Sequence, residues 1–311
     1  MSSNDGDISW QVLRRIARHW AGQSAELVQV TPLDGGCISN TLKLELADHR
    51  QAVLKISAHR IDRSYEEEAF QLNHLRSLGL PTPQVHLHHT ATLEDPFSFI
   101  LLDFVPGVDL ATARKQCDPA AFDRLQEELG ELVARMHQET ADAYRRVSPR
   151  QPRMFEQWSV FFRDVFDPVW REAQECGLLT HKQRKLVARI HDKLDHLLAH
   201  EDQPRLVHWD FWSSNILARP NGDGNWHVAA ILDPCCKFAH AEVELAYVDL
   251  FKTGTRSFFK AYQRTHRLLD AYHRVRKPIY QLYFLLNHLQ LFGREYLHRT
   301  SAAIESVAAL Q

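Results

Sequence analysis

The feature that most limits what this chain can fold into is a change of hydrophobic period. Over residues 26–57 apolar side chains tend to recur every second position, whereas beyond residue 119 they recur at helical spacing with one interruption. Strands are predicted at 26–33, 40–47 and 51–57, with Gly35-Gly36 and Asp48-His49-Arg50 supplying the turns of an antiparallel meander. A helix at 8–21 precedes the meander, carrying Ile8, Val12, Ile16 and Trp20 at helical spacing. An amphipathic helix at 63–78 follows it, with Ala69, Leu72, Leu75 and Leu78 on one side and Gly79 and Pro81 as terminators. Strands at 84–89 and 97–103 complete the β-rich part, and Val105-Pro106-Gly107 reads as a connector. Helices are then expected at 119–138, 154–176, 180–199, 240–251, 256–268 and 279–297. The expected architecture is α+β and bilobal: a small N-terminal antiparallel β lobe with a helix, residues 1–103, and a larger, mainly helical C-terminal lobe, residues 104–311.

The interruption in the helical part carries the chemistry. Residues 206–218, LVHWDFWSSNILA, and 227–234, HVAAILDP, set Asp210, Asn215 and Asp233 in a loop and at the ends of β-like runs. Residues at such positions are held at the edges of rigid elements, where function concentrates. Phosphoryl transfer needs a group to orient or deprotonate the attacking hydroxyl, and hard oxygen ligands for magnesium on the phosphates of ATP. Two aspartates and an amide meet that need. The spacing His208-x-Asp210-x-x-x-x-Asn215 matches the catalytic loop of kinases, with Trp209 in place of the arginine of protein kinases and Asp233-Pro234 in place of their Asp-Phe-Gly. Both departures point away from protein substrates of the usual kinase type. An isolated motif of this kind can equally cap a turn; the downstream Asp-Pro weakens that alternative. Pro234 disfavours helical geometry at Asp233, so its carboxylate is expected at the end of an extended segment.

The N-terminal part supplies the complement. Lys55, in AVLKI, sits on a predicted strand among apolar neighbours, a poor place for a cation unless it meets phosphate or carboxylate. Glu68 on the following helix is the natural carboxylate, although Lys55 on an edge strand and Glu68 on a wet helix face remain the plain alternative. Between the first two strands, Gly35, Gly36, Cys37 and Ser39 form a turn whose glycines permit close approach of backbone to phosphates; an ordinary hairpin turn fits the same residues.

Over nearly its whole length the chain resembles the fructosamine kinase (ketosamine 3-kinase) family, within the aminoglycoside phosphotransferase and choline kinase-like superfamily. The likeness rests on Gly35-Gly36-Cys37-Ile38-Ser39, Lys55, Glu68, Glu156-Gln157-Trp158, His208-x-Asp210-x-Trp212-x-x-Asn215, Asp233-Pro234, Ala239-His240-x-Glu242-x-Glu244-Leu245-Ala246 and Leu286-Asn287-His288. Trp212 favours ketosamine kinases over antibiotic or choline kinases. The resemblance implies a protein-kinase-like fold and transfer of the ATP γ-phosphate to a sugar hydroxyl of a fructosamine or ribulosamine, free or on lysine, with a deglycation outcome. It implies Asp210 as catalytic base, Asn215 and Asp233 as magnesium ligands, and Lys55 with Glu68 as phosphate clamp. It further implies Leu102, Asp103 and Phe104 as the adenine-facing hinge; Trp209, because it adjoins Asp210, is read with Trp212 and His288 as standing beside the acceptor. Trp209 stands where this family usually has glycine, and Cys235-Cys236-Lys237 replaces a smaller segment, so the acceptor itself is left open: another small hydroxyl compound, aminoglycoside-like or an amino alcohol, is the second reading, and a nucleotide-binding pseudokinase the third.

Partners are bounded by composition. A net charge of −2 with no block of like charge gives no field for nucleic acid. No run of eighteen apolar residues occurs and the first residues are polar, so neither a membrane span nor a secretory signal is expected, and the chain is read as cytoplasmic. The five cysteines show no CxxC spacing and are read as reduced thiols. From the family likeness, Cys37 suggests a redox-sensitive homodimer, with a monomer as the alternative. Lys252, Arg256, Lys260 and Arg264 are expected as a cationic stripe on one helix edge, and His86, His88 and His89 as surface histidines without metal.

Overall fold

In the computed structural model, which describes residues 8–33, 40–58, 62–199 and 202–309, the alternation in QAVLKISA builds the central strand of a five-stranded sheet. The strands are β1 (Leu27–Pro32), β2 (Asn40–Leu46), β3 (Gln51–Ala58), β4 (Val85–His89) and β5 (Phe97–Asp103), in the order β1-β2-β3-β5-β4 and antiparallel throughout. Side chains of a strand alternate between faces, so Ala52, Leu54 and Ile56 meet α1 (Trp10–Ala21) through Leu13, Ile16 and Ala17. Val53 and its neighbours Ile100 and Leu102 meet α2 (Ser64–Ser77) through Tyr65, Ala69 and Leu72. Lys55 shares the α2 face. α1 begins at Ser9, whose side chain accepts from the Val12 amide.

The same compact unit takes in β6 (Val108–Asp109), α3 (Leu110–Gln116), residues 148–150 and, from much later in the chain, the hairpin β9 (Ile216–Pro220) and β10 (Trp226–Ile231). β9 lies between β10 and β6, both antiparallel to it. Gly107 opens β6 because a Cβ there would stand 2.9 Å from the Ala218 carbonyl oxygen of β9.

The second unit holds residues 117–147, 151–213 and 235–311. Its helices are α4 (Pro119–Met136), α5 (Trp158–Glu175), α6 (His181–Asp192), α7 (Leu194–Leu197), α8 (Ala241–Leu250), α9 (Arg256–Tyr262), α10 (Lys277–Phe292) and α11 (Leu297–Ala308). A small sheet, β7 (Arg145–Arg146), β11 (Lys237–Ala239) and β8 (Arg205–Val207), runs among them with β11 central. Start signals are local: Asp118 caps α4 ahead of Pro119, and Thr180 with Gln183 forms a capping box on α6. α8 is buried almost all round, including Glu242 and Glu244.

Several expectations change. The division drawn between residues 103 and 104 differs from the compact units, because β6, α3 and the β9–β10 hairpin fold with the N-terminal strands. The helix expected at 256–268 ends at Tyr262, and 279–297 starts earlier, through a π-helical turn at Tyr272–Arg276, and is followed by the unforeseen α11. No cationic stripe forms. Lys252 lies before α9 in a left-handed turn, φ 57°, and Arg264 lies beyond it, bonded to Glu127 and Glu131 of α4. Of the three histidines expected at the surface, His88 is exposed, His89 is half-buried, and His86 is half-buried and bound to Asp103 at 2.7 Å. Among the described residues no helix is long and apolar enough to cross a membrane.

Candidate active site

Within the first unit one cation is held by two carboxylates. Glu68 lies three residues after Tyr65 and four before Leu72, both buried against the sheet, so helical spacing turns it to the face that Lys55 occupies. Lys55 Nζ lies 2.6 Å from Glu68 Oε1 and also donates to Asp233 Oδ1. Glu66 and Glu67 face elsewhere: Glu66 pairs with Arg150 at 2.5 Å and Glu67 meets the Ser148 hydroxyl. Burial alone would push the Lys55 pKa down, but the Glu68 and Asp233 charges hold it above its ordinary value. For Glu68, burial is the larger effect and raises its pKa against the pull of Lys55.

The hairpin sets Asn215 beside Asp233. Asn215 immediately precedes β9 and Asp233 follows β10 by two residues; Ile216 pairs with Ile231, and the Leu232 amide donates to the Asn215 carbonyl at 2.8 Å. Asp233 is not extended as expected. The strand ends at Ile231 and Asp233 takes a left-handed φ of 54°. Pro234 bars the right-handed helical basin, and an aspartate tolerates the left-handed one better than most residues. An amide oxygen and a partly exposed carboxylate from one hairpin are hard donors of the kind magnesium takes when it keeps phosphate and water as its other ligands. Among the described residues no three His, Cys, Asp or Glu side chains gather as a self-sufficient metal cage.

Of the residues expected at the hinge, Leu102 is buried in β5 between β3 and β4. Asp103 directs its amide to Gln84 O at 2.9 Å and its carboxylate to His86, and Phe104 lies under the Lys43 ammonium at 4.2 Å. Gly35, Gly36, Cys37 and Ser39 lie outside the described residues.

In the second unit the loop 208–212 is gripped from α8. Glu244 Oε1 accepts the amides of His208 at 2.7 Å and Trp209 at 2.8 Å, while its Oε2 meets His137 Nε2 at 2.9 Å. His137 Nδ1 in turn meets the Tyr262 hydroxyl at 2.9 Å. The Cys235 amide, two residues ahead of β11, donates to His208 O and gives the loop a second anchor. Asp210, half-buried at the loop's turn, accepts from the Tyr247 hydroxyl at 2.6 Å.

The residues expected beside the acceptor part company. Trp209 is 7% exposed, in a left-handed conformation, φ 72°, with its ring edge-on to Tyr283 and Phe284 and the Lys237 ammonium 4.2 Å away. It packs as core. Trp212 is 38% exposed, and His288 stacks among Phe251, Phe292 and Tyr296 with Nδ1 on Phe284 O. Glu244 and Tyr247 were not singled out for any role by sequence reasoning. The signal for Glu244 was an acid inside the apolar run AEVELAYV, where only a buried partner makes it tolerable.

Comparison with known proteins identifies the fold and the family. "Probable ketoamine kinase YniA" of Escherichia coli (strain K12) is 27% identical over 310 residues, spanning 96% of this chain and 99% of that protein. The crystal structure of a "putative fructosamine-3-kinase" from Thermobifida fusca superposes with a TM-score of 0.76 at 24% identity, covering 97% of this chain and 100% of that one. Aminoglycoside phosphotransferase APH(4)-Ia, solved with ADP and hygromycin B, gives a TM-score of 0.69 at 17% identity over 95% and 98% of the two chains. The fold is the protein-kinase-like one shared by these phosphotransferases. The fructosamine kinase family model matches residues 9–310, and the chain belongs to that family.

Proposed function

We propose that the chain transfers the γ-phosphate of ATP to a sugar hydroxyl of a ketosamine, a fructosamine or ribulosamine that is free or carried on lysine. The phosphorylated adduct then breaks down and releases the amine. The observation that carries this reading is the Lys55 ammonium held between Glu68 and Asp233, beside Asn215 at the foot of the same hairpin. A lysine fixed in this way is a point charge for the phosphates of a nucleotide. Asn215 and Asp233 would hold magnesium, which when bound neutralises charge on the phosphate oxygens. Asp210, on a loop whose backbone is fixed by Glu244, orients the acceptor hydroxyl and takes its proton as the bond to phosphorus forms. Complexes of related phosphotransferases with ADP and with AMP-PNP support a nucleotide as the donor.

The test is an ADP-release screen with magnesium and ATP over ribulosyl-lysine, fructosyl-lysine, aminoglycosides and amino alcohols. Turnover of the two ketosamines above the other acceptors is the expected outcome. Strong turnover of only aminoglycosides or amino alcohols would replace the ketosamine, and the absence of acceptor-dependent ADP release with every one of these compounds would count against the kinase reading.

A further inference from the structure

Glu244 fixes the backbone of the 208–212 loop, and a grip on the backbone does not by itself set the rotation of the Asp210 side chain. One turn further along the same face of α8 stands Tyr247, and its hydroxyl donates to Asp210 Oδ1 at 2.6 Å. The ring has no latitude. Tyr247 is 3% exposed, with its centroid 4.5 Å from that of Phe284 and 4.6 Å from that of Phe251. A single helix therefore holds the loop twice, by its amides through Glu244 and by its carboxylate through Tyr247.

The bond has a fixed direction. Burial, and then the Asp210 charge, hold the phenol's pKa above its ordinary value, so Tyr247 is the donor across the working pH range. An ionised carboxylate offers about four lone-pair positions. One on Oδ1 is taken by the phenol, which sets the plane in which an acceptor hydroxyl meets the carboxylate. The other titratable groups whose charge reaches this pair are His288 of α10, whose own pKa burial pulls down, with Tyr296 and Cys235.

We propose that Tyr247 is a positioning residue for phosphoryl transfer, its hydroxyl fixing the orientation of the Asp210 carboxylate through one hydrogen bond. The inference rests on Asp210 being the base of the proposed reaction. Losing the donor removes the alignment on which proton transfer in the transition state depends.

The experiment compares wild type, Tyr247→Phe and Asp210→Asn in ADP release with ribulosyl-lysine and Mg-ATP. Phe preserves the ring packing, and a thermal melt checks that it does. For Tyr247→Phe the expected result is a kcat about tenfold lower with KM for Mg-ATP unchanged. A fall in kcat that comes with a raised KM for Mg-ATP or a lowered melting temperature overturns the inference, since a merely structural tyrosine would behave that way. Unchanged kcat in Tyr247→Phe beside an inactive Asp210→Asn overturns it while sparing Asp210 as base. An active Asp210→Asn removes the base and, with it, any positioning of the base.

Discussion

The sharpest stability prediction concerns Glu244. Its two oxygens accept the His208 and Trp209 amides and engage His137 Nε2, and the side chain is fully buried. Glu244→Ala strands three buried donors at once. At about 1–3 kcal/mol for each buried group left without a partner, the loss is about 3–9 kcal/mol before any cavity is counted. That is comparable with the whole stability of a typical domain, about 5–15 kcal/mol. Glu244→Gln keeps the shape and one carbonyl oxygen where both amides converge, and once His137 shifts its ring proton from Nε2 to Nδ1 the Gln NH2 donates to Nε2, so the variant forfeits the charge-assisted part of these bonds, about 1–2 kcal/mol. Urea unfolding of both variants gives the free energies, and amide hydrogen exchange of the 208–212 segment gives the local effect. Exchange should accelerate strongly in the Ala variant and modestly in the Gln variant. If the Ala variant unfolds within about 1 kcal/mol of wild type, or if Gln is as damaging as Ala, the claim that Glu244 anchors this loop is wrong.

Four further outcomes are expected. Asp233→Ala should abolish magnesium-dependent binding of ADP in titration calorimetry, because the remaining amide of Asn215 carries no charge; unchanged affinity with magnesium contradicts the ligand assignment. Trp209→Gly relieves a left-handed non-glycine residue, worth about 1–2 kcal/mol, but empties a packed indole site worth about 3–5 kcal/mol, so the melting temperature should fall and not rise. The Tyr144 phenol, donating to Asp202 O at 2.8 Å, is pushed up to about 12 first by burial and then by Asp202. Its folded-state value exceeds the unfolded one of about 10, so its contribution is full below pH 10 and is lost as pH rises to 12; Tyr144→Phe should flatten that part of the stability profile. Gly130 lets α4 lie against α9, since a Cβ there would collide with the Phe258 carbonyl oxygen, and Gly130→Ala should lower stability by about 1–3 kcal/mol in a chemical denaturation series.

What was legible in the sequence was what local periodicity and short spacing encode. The alternation of Ala52, Leu54 and Ile56 set the sheet's inner face and left Lys55 on the other, and the helix phase around Glu68 follows from Tyr65 and Leu72. Asn215 and Asp233 were found by motif, and the hairpin register explains why eighteen residues of separation bring them side by side. The misses have a common cause, which is partners remote in sequence. Glu244 acts on amides 35 and 36 residues away, and Tyr247 on a carboxylate 37 residues away. Arg264 left the expected stripe because Glu127 and Glu131, on another helix, draw it there. Trp209 was expected at the acceptor because of its neighbour Asp210, but adjacent residues in a tight loop point in different directions, and this one turns inward. α11 escaped because LHRTSAAIESVA carries too few large apolar residues to mark a period, and only Thr300, Ile304 and Val307 are buried.

The interleaving of the two units along the chain has a consequence for how the protein can be handled and made. The strand at Val108–Asp109 waits for its neighbour Leu217–Ala218, more than a hundred residues downstream, and the Lys55 clamp waits for Asp233. No single cut yields either half intact: truncation after residue 103 or 116 should give a fragment whose lysine lacks one of its two carboxylates, and truncation after 116 also leaves Val108–Asp109 without its partner strand. During synthesis on the ribosome the first unit stays incomplete until residue 234 has emerged, by which point most of the helices of the second unit's early segments are already available to fold.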